Sequence, residues 1–188
     1  MKSNALTSSI LIDNFRHSIK GRVKTFEVDR QNIVHNVIYM YWLEHARVEY
    51  VRSLGIEIKP STFIDSYIFV VAKTEVNYLA SALFDQTYTV YTRIPSIGIT
   101  SFTFEQVIQL EQDATTLLIA SSVLVQLDPK SKEPTPIAIG KRNNPVKKLI
   151  HAMVHRACSS RKGRFKSGAV KKSSSTHTHG ILKLPFTP

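Results

Sequence analysis

Val28 to Gly55 reads VDRQNIVHNVIYMYWLEHARVEYVRSLG. It opens on a carboxylate, Asp29, crosses a short polar stretch and enters a long, mostly apolar run that stops at a glycine. Ile33 to Leu54 reads as a helix together with the loop that leads into it. His35 or Asn36 suits the N-cap, asparagine being among the better capping residues. Gly55 suits the left-handed position just past the last turn. Val37, Tyr41, Val48 and Val51 form one apolar row of this helix, and Tyr39, Leu43, Ala46, Tyr50 and Leu54 form another. Only His45, Glu49 and Arg52 make a polar stripe at helical spacing. A helix so apolar is expected to be wrapped by other elements.

Those elements follow it. Tyr67–Leu79, Phe84–Ile94, Ile99–Glu111 and Thr116–Leu127 are rich in Val, Ile, Thr, Tyr and Phe and read as strands. Short breaks part them: Ala80-Ser81-Ala82, Pro95-Ser96-Ile97-Gly98 and Gln112-Asp113-Ala114. Links this short favour antiparallel neighbours, because a parallel crossover needs about a dozen residues or more. Ahead of the helix, His17–Val28 alternates loosely and reads as a further strand. A strand, a long helix and four long strands predict an α+β fold, with an antiparallel sheet curled around one apolar helix.

The chain has 188 residues, enough for one domain with a core of its own. We place that domain at 1–140 and a basic C-terminal extension at 141–188. Residues 1–140 hold thirteen Lys and Arg against fourteen Asp and Glu, while 141–188 hold twelve Lys and Arg and no acid. The overall charge of +11 therefore belongs to the extension, not to the body. Its Ser, Lys and Gly content predicts a poorly ordered or loosely attached segment, with a short amphipathic helix over Leu149–Ala157. Phe165 is the only aromatic between Leu149 and Gly180, so a binding surface for nucleic acid with interleaved aromatics is absent and no specific nucleic-acid partner is expected. The single cysteine, Cys158, cannot form an internal disulfide, which points to a reducing compartment. No run approaches membrane-spanning length, and the N-terminus is too weak for a signal peptide. The expected location is the cytoplasm.

The run from Asp29 to Arg47 also resembles the signature of the hotdog-fold acyl thioesterases, specifically the 4-hydroxybenzoyl-CoA thioesterase-like family. Asp29, Val34, Asn36, Tyr39, Glu44, Ala46 and Arg47 fall in its register, and the step from Gly98 to Ser101 matches between later strands. The likeness runs from about His17 to Ile139. One departure is Asn32, which stands where the family usually has glycine. Asparagine tolerates positive φ better than other non-glycine residues, so the turn can survive while its side chain alters which acyl group fits. The resemblance implies a hotdog, a curved sheet around a central helix. It implies homodimers with sheets joined edge to edge, often paired into homotetramers, with active sites at the subunit interface. It also implies acyl-CoA substrates, or acyl carrier protein thioesters in some branches, and no cofactor.

Thioester hydrolysis needs a carboxylate that attacks the carbonyl or activates water, and donors aimed at the developing oxyanion. A helix N-terminus offers free N–H groups and the positive end of a dipole. By the resemblance, Asp29 is the catalytic carboxylate and the Asn36 backbone N–H the oxyanion donor. Asn32, His35, Tyr39 and Ser101 are the candidate substrate contacts. The plainer alternatives are a loop aspartate at Asp29, a simple N-cap at Asn36, a structural histidine at His35, packing at Tyr39 and an ordinary strand serine at Ser101. Glu44 and Arg47 are spaced to pair with each other. His151 and His155, four apart, lack an adjacent carboxylate and read as a polar face rather than a metal site, and His177 and His179 look incidental. The competing functions are a hotdog dehydratase, whose histidine and carboxylate arrangement is not found, and a hotdog that binds an acyl ligand or a partner without turnover.

Overall fold

The computed structural model describes residues 12–55, 58 and 68–137. The expected extension at 141–188, with its helix at Leu149–Ala157, its histidines and Cys158, lies outside the described residues. So does the start of the second expected strand. The elements run β1 (His17–Arg22), α1 (Asn36–Ser53), β2 (Ile68–Tyr78), β3 (Thr87–Ile97), β4 (Ser101–Leu110) and β5 (Thr116–Leu127). They form one five-stranded sheet in the order β1-β3-β4-β5-β2, with every pairing antiparallel. With α1 laid across it, this is the hotdog that the sequence implied.

One residue of each successive pair faces α1. Tyr88, Val90, Thr92 and Ile94 of β3 alternate inward, as do Phe102, Phe104, Gln106, Ile108 and Leu110 of β4. The helix returns Tyr39, Trp42, Leu43, Ala46 and Tyr50, all buried. Around its N-terminal half these make a cluster with Val34, Ala82 and Leu118. Around its C-terminal end Tyr50, Ile94, Phe102, Phe104 and Ile137 make a second. Between them Gln106 is sealed from water but fully used. Its Nε2 donates to the Leu43 carbonyl at 2.9 Å and to Thr92 Oγ1 at 3.2 Å, and its Oε1 accepts from Arg47 at 3.1 Å. A buried polar group with all its partners is tolerated where an unpaired one is not.

Two strands depart from the sequence reading by more than two residues. β1 ends at Arg22 rather than Val28, because Thr25–Glu27 winds into one short 3-10 turn. β3 starts at Thr87 and runs on through Pro95 to Ile97, where a turn was expected. The register shifts between Arg93 and Ser96, so the proline sits in a bulge, where its missing N–H costs no ladder bond. The turn falls instead at 98–100, closed by the Gly98 N–H donating to the Ser101 carbonyl at 2.7 Å.

Gly21 is required by what crosses it. It pairs with Tyr88, whose ring lies so close that a Cβ at Gly21 would stand 2.4 Å from its Cζ. Tyr88 in turn stacks on Trp42, with centroids 3.8 Å apart. Burial, and then the nearby Glu27 carboxylate, push the Tyr88 phenol far above its usual range, so it stays neutral.

The helix is not wrapped on all sides as its composition suggested. Val37 and Tyr41 are 45% and 66% exposed. They begin the row that continues through Val48 and Val51, and at this end of the helix the row turns away from the sheet of its own chain. Beyond that row, β2 forms one edge of the sheet, with Val70, Val71 and Tyr78 exposed.

Candidate active site

The chain between β1 and α1 folds back on itself. Val28 bridges Val34 in antiparallel fashion, the Asp29 N–H donates to the Ile33 carbonyl at 2.9 Å, and the Asn32 N–H donates to the Asp29 carbonyl at 3.0 Å. The second arm of this tight hairpin is moored to the chain before β3. Ile33 bridges Leu83, and the Val34 N–H donates to the Ala82 carbonyl at 2.9 Å. Asp29 thus stands in the first arm of the hairpin opposite Ile33, one position beyond the Val28–Val34 bridge.

Asn32 takes φ +60° in this turn. The position therefore has the conformation a glycine would adopt freely, and asparagine is the residue best able to replace it. Changing Asn32 to alanine is expected to destabilise the protein by about 1 kcal/mol through the left-handed strain, whereas Asn32→Gly stays close to wild type. Urea midpoints at constant slope check this, and equal midpoints for the two variants would show that the turn carries no such strain.

The Asp29 carboxylate is partly engaged. Oδ1 accepts from the Gln31 N–H at 2.7 Å, a local Asx turn that fixes the side chain's direction. Among the described residues Oδ2 has no hydrogen-bond partner. The helix begins at Asn36 with His35 as its N-cap. His35 Nδ1 accepts from the Val37 N–H at 3.2 Å, and its carbonyl accepts from the Ile38 N–H at 2.9 Å. The cap therefore takes up the second and third N–H groups of the helix. The Asn36 N–H has no acceptor among the described residues and stands at the positive end of an 18-residue helix.

Of the other residues singled out in the sequence, Tyr39 is buried in the core. Its hydroxyl accepts from the Ala82 N–H at 3.0 Å, its ring meets Trp42 and Tyr78 edge-on, and burial pushes its phenol pKa up. Ser101 opens β4 opposite Val125, at the end of the sheet where the C-terminal half of α1 packs. Within one chain Asp29 and Asn32 share the hairpin turn, His35 and Asn36 open α1 just after it, and Ser101 lies at the other end of the sheet. Glu44 and Arg47 pair as their spacing suggested, and Arg47 also reaches Gln106. Among the described residues no group of three or more His, Cys, Asp or Glu is arranged to hold a metal ion, and no helix is long and apolar enough to cross a membrane.

Sequence reasoning missed Glu27. It lies in a stretch read as strand, yet its side chain turns inward and is almost sealed from water. The signal available was Trp42, a buried indole whose N–H needs an acceptor.

A five-stranded antiparallel sheet with one helix laid across it is a hotdog fold. The model of the thioesterase superfamily matches residues 31–117, which include the second arm of the 28–34 hairpin and all of α1. Family model and fold agree: the matched segment is similar to the thioesterase superfamily, and the sheet and helix have the hotdog fold. Among curated proteins, the chloroplastic acyl-acyl carrier protein thioesterase ATL2 of Arabidopsis thaliana is 28% identical over 114 residues, covering 61% of this chain and 60% of that protein. The chain thus spans somewhat under two thirds of that relative's length. Among solved structures, a DHNA-CoA thioesterase from Staphylococcus aureus superposes with a TM-score of 0.65 at 18% identity, covering 78% of this chain and 95% of that one. A second Staphylococcus aureus protein, solved in complex with CoA, gives a TM-score of 0.64 at 12% identity, covering 80% and 88%. At such identities the likeness is one of fold.

Proposed function

We propose that this chain hydrolyses acyl thioesters, releasing a free acid and a thiol. Two observations support the reading: the hairpin at 28–34 fixes the direction of the Asp29 carboxylate just ahead of α1, and the Asn36 N–H at the helix start has no acceptor among the described residues. In the general-base route, a water oxygen bonds to the thioester carbon while its proton passes to Asp29. The carbonyl electrons move to oxygen, and the Asn36 N–H holds that oxyanion. The carbon–sulfur bond then breaks, and the leaving thiolate takes the proton back. In the nucleophilic route, Asp29 itself bonds to the carbon and expels the thiolate, and water then hydrolyses the mixed anhydride. Both routes use the same two groups.

Acyl-CoA is the substrate class favoured by the CoA-bound and CoA-thioester-named structures with this fold. The ATL2 likeness supports an acyl carrier protein thioester as the alternative. A panel of aliphatic and aromatic acyl-CoA esters, with the corresponding carrier-protein esters, decides between them by thiol release. Absence of turnover on every ester would leave a hotdog that binds without hydrolysis and sink the proposal.

The active form is a homodimer, or a homotetramer built from dimers. Val37 and Tyr41 on α1 adjoin Tyr78 and Leu79 at the end of β2, where the Tyr78 hydroxyl donates to the Asn36 carbonyl at 3.2 Å. These exposed apolar side chains and the β2 edge, which has no further strand beside it among the described residues, together make a surface that a second copy can cover. Tyr41→Glu is expected to weaken self-association by roughly 30-fold or more, the scale of a buried aromatic anchor. Sedimentation over a dilution series reads this directly, and an unchanged dimer would place the interface elsewhere.

A further inference from the structure

Glu27 is a carboxylate 6% exposed, two residues ahead of Asp29. Burying a charge is costly unless its partners are in place, and here they are. Oε1 accepts from the Trp42 indole N–H at 3.1 Å, and Oε2 accepts from the Lys24 backbone N–H at 2.8 Å. The main chain of the same residue is also committed. Its N–H donates to the Lys24 carbonyl at 3.0 Å, and its carbonyl accepts from the His35 N–H at 3.0 Å. One residue therefore joins three parts: the 3-10 turn that ends the approach from β1, the N-cap of α1, and the second turn of α1 through Trp42. Asp29 hangs from one side of this joint and Asn36 from the other.

We propose that Glu27 is a positioning residue for the hydrolytic site, fixing the Asp29 hairpin at a set height and angle against the N-terminus of α1. The inference rests on the reading of Asp29 and Asn36 as the hydrolytic pair. The chemistry of the joint explains the residue type. Both of its side-chain partners are donors, and only a carboxylate accepts at both oxygens. Glutamine has the same shape, but it must turn an amide N–H toward one of the two donors. That mismatch pushes the turn and the helix apart, and the two reacting groups with them. Displacement of a catalytic group by about an ångström is enough to cost up to a hundredfold in rate. Such a shift acts on the chemical step and leaves the surfaces that bind the acyl group and the thiol largely in place.

Trp42→Phe supplies the complementary change. It removes the indole donor while keeping an aromatic ring against Tyr88. In Glu27→Gln/Trp42→Phe the amide oxygen can accept from Lys24 while the amide N–H groups face a ring and not another donor. The double variant should therefore recover what Glu27→Gln loses, which a general weakening of the fold would not allow.

The experiment compares wild type, Glu27→Gln, the double variant and Asp29→Asn in the thiol-release assay, with melting curves and amide hydrogen exchange of residues 28–36. Expected for Glu27→Gln is a fall in kcat of roughly tenfold to a hundredfold with KM within about twofold, and faster exchange at Asp29, Val34 and His35, while the protein stays folded at the assay temperature. The double variant should return to within a few-fold of wild type in kcat and in exchange. Wild-type kcat and exchange in Glu27→Gln would overturn the proposal. So would a double variant that is folded yet no better than Glu27→Gln. Full turnover by Asp29→Asn would instead overturn the hydrolytic reading of Asp29, and the exchange data would still decide whether Glu27 holds the hairpin. If Glu27→Gln fails to fold, the double variant carries the decision: folding and turnover restored by Trp42→Phe support the donor–donor mismatch, and an unfolded double variant refutes it.

Discussion

Asp29→Asn is expected to lower kcat for thioester hydrolysis by about 10²- to 10⁴-fold, the range that a positioned proton acceptor contributes. Asparagine is the informative choice because it spares the local structure. Its amide oxygen can still accept from the Gln31 N–H, as Asp29 Oδ1 does, so the Asx turn survives. What is lost is the negative charge and the basic, nucleophilic oxygen. A carboxylate attacks or deprotonates, whereas a neutral amide does neither at ordinary pH. KM should move little by comparison, because the amide keeps the size and the local hydrogen bond of the carboxylate it replaces. Melting temperature measured beside the rates separates lost chemistry from lost fold. A folded Asp29→Asn that hydrolyses its ester at the wild-type rate would remove Asp29 from the mechanism and return it to the role of a turn residue.

Phe104→Ala should cost about 3–5 kcal/mol of folding free energy, a large share of the 5–15 kcal/mol on which typical domains rest. Phe104 is fully buried on the helix-facing side of β4. Its ring meets Tyr50 of α1 edge-on at 5.8 Å and Phe102 of its own strand at 5.5 Å. Removing it opens a void at the point where the C-terminal half of α1 is pinned to the sheet, and aromatic neighbours held on two different elements cannot both collapse into it. Phe104→Leu retains most of the volume and should lose far less. Denaturant unfolding of the two variants checks the contrast. Equal losses would mean that ring geometry, and not filled volume, sets the stability there.

The fold was legible where pattern is dense. The apolar rows of 33–54 gave the helix and its cap, and the Val, Ile, Thr, Tyr and Phe content of 99–111 and 116–127 gave two strands close to their observed bounds. Legibility failed where a local signal was outvoted by a distant partner. Pro95 marks a turn in any sequence reading, yet β3 runs through it because a bulge against β4 spares the ladder. Val23 to Val28 continues the β1 alternation, yet the chain leaves the sheet there to let Glu27 reach Trp42. Val37 and Tyr41 looked like core because they are apolar, and they face away from the chain's own sheet. Asp29, Asn32 and Asn36 could be singled out because they fall on positions of the family signature that this run resembles, and that signature is a local one. Glu27 could not, since its meaning depends on an indole fifteen residues onward.

That indole has a practical use. Trp42 is the only tryptophan in the chain, so the fluorescence of the whole protein excited at the red edge comes from one ring. The ring is shielded from water, faces Tyr88 in a stack and touches the carboxylate that braces the hairpin. Its emission colour and quenching will respond to any loosening between hairpin and helix without a label being introduced. Ligand titrations, stopped-flow mixing and unfolding curves can all be followed by light from the joint itself.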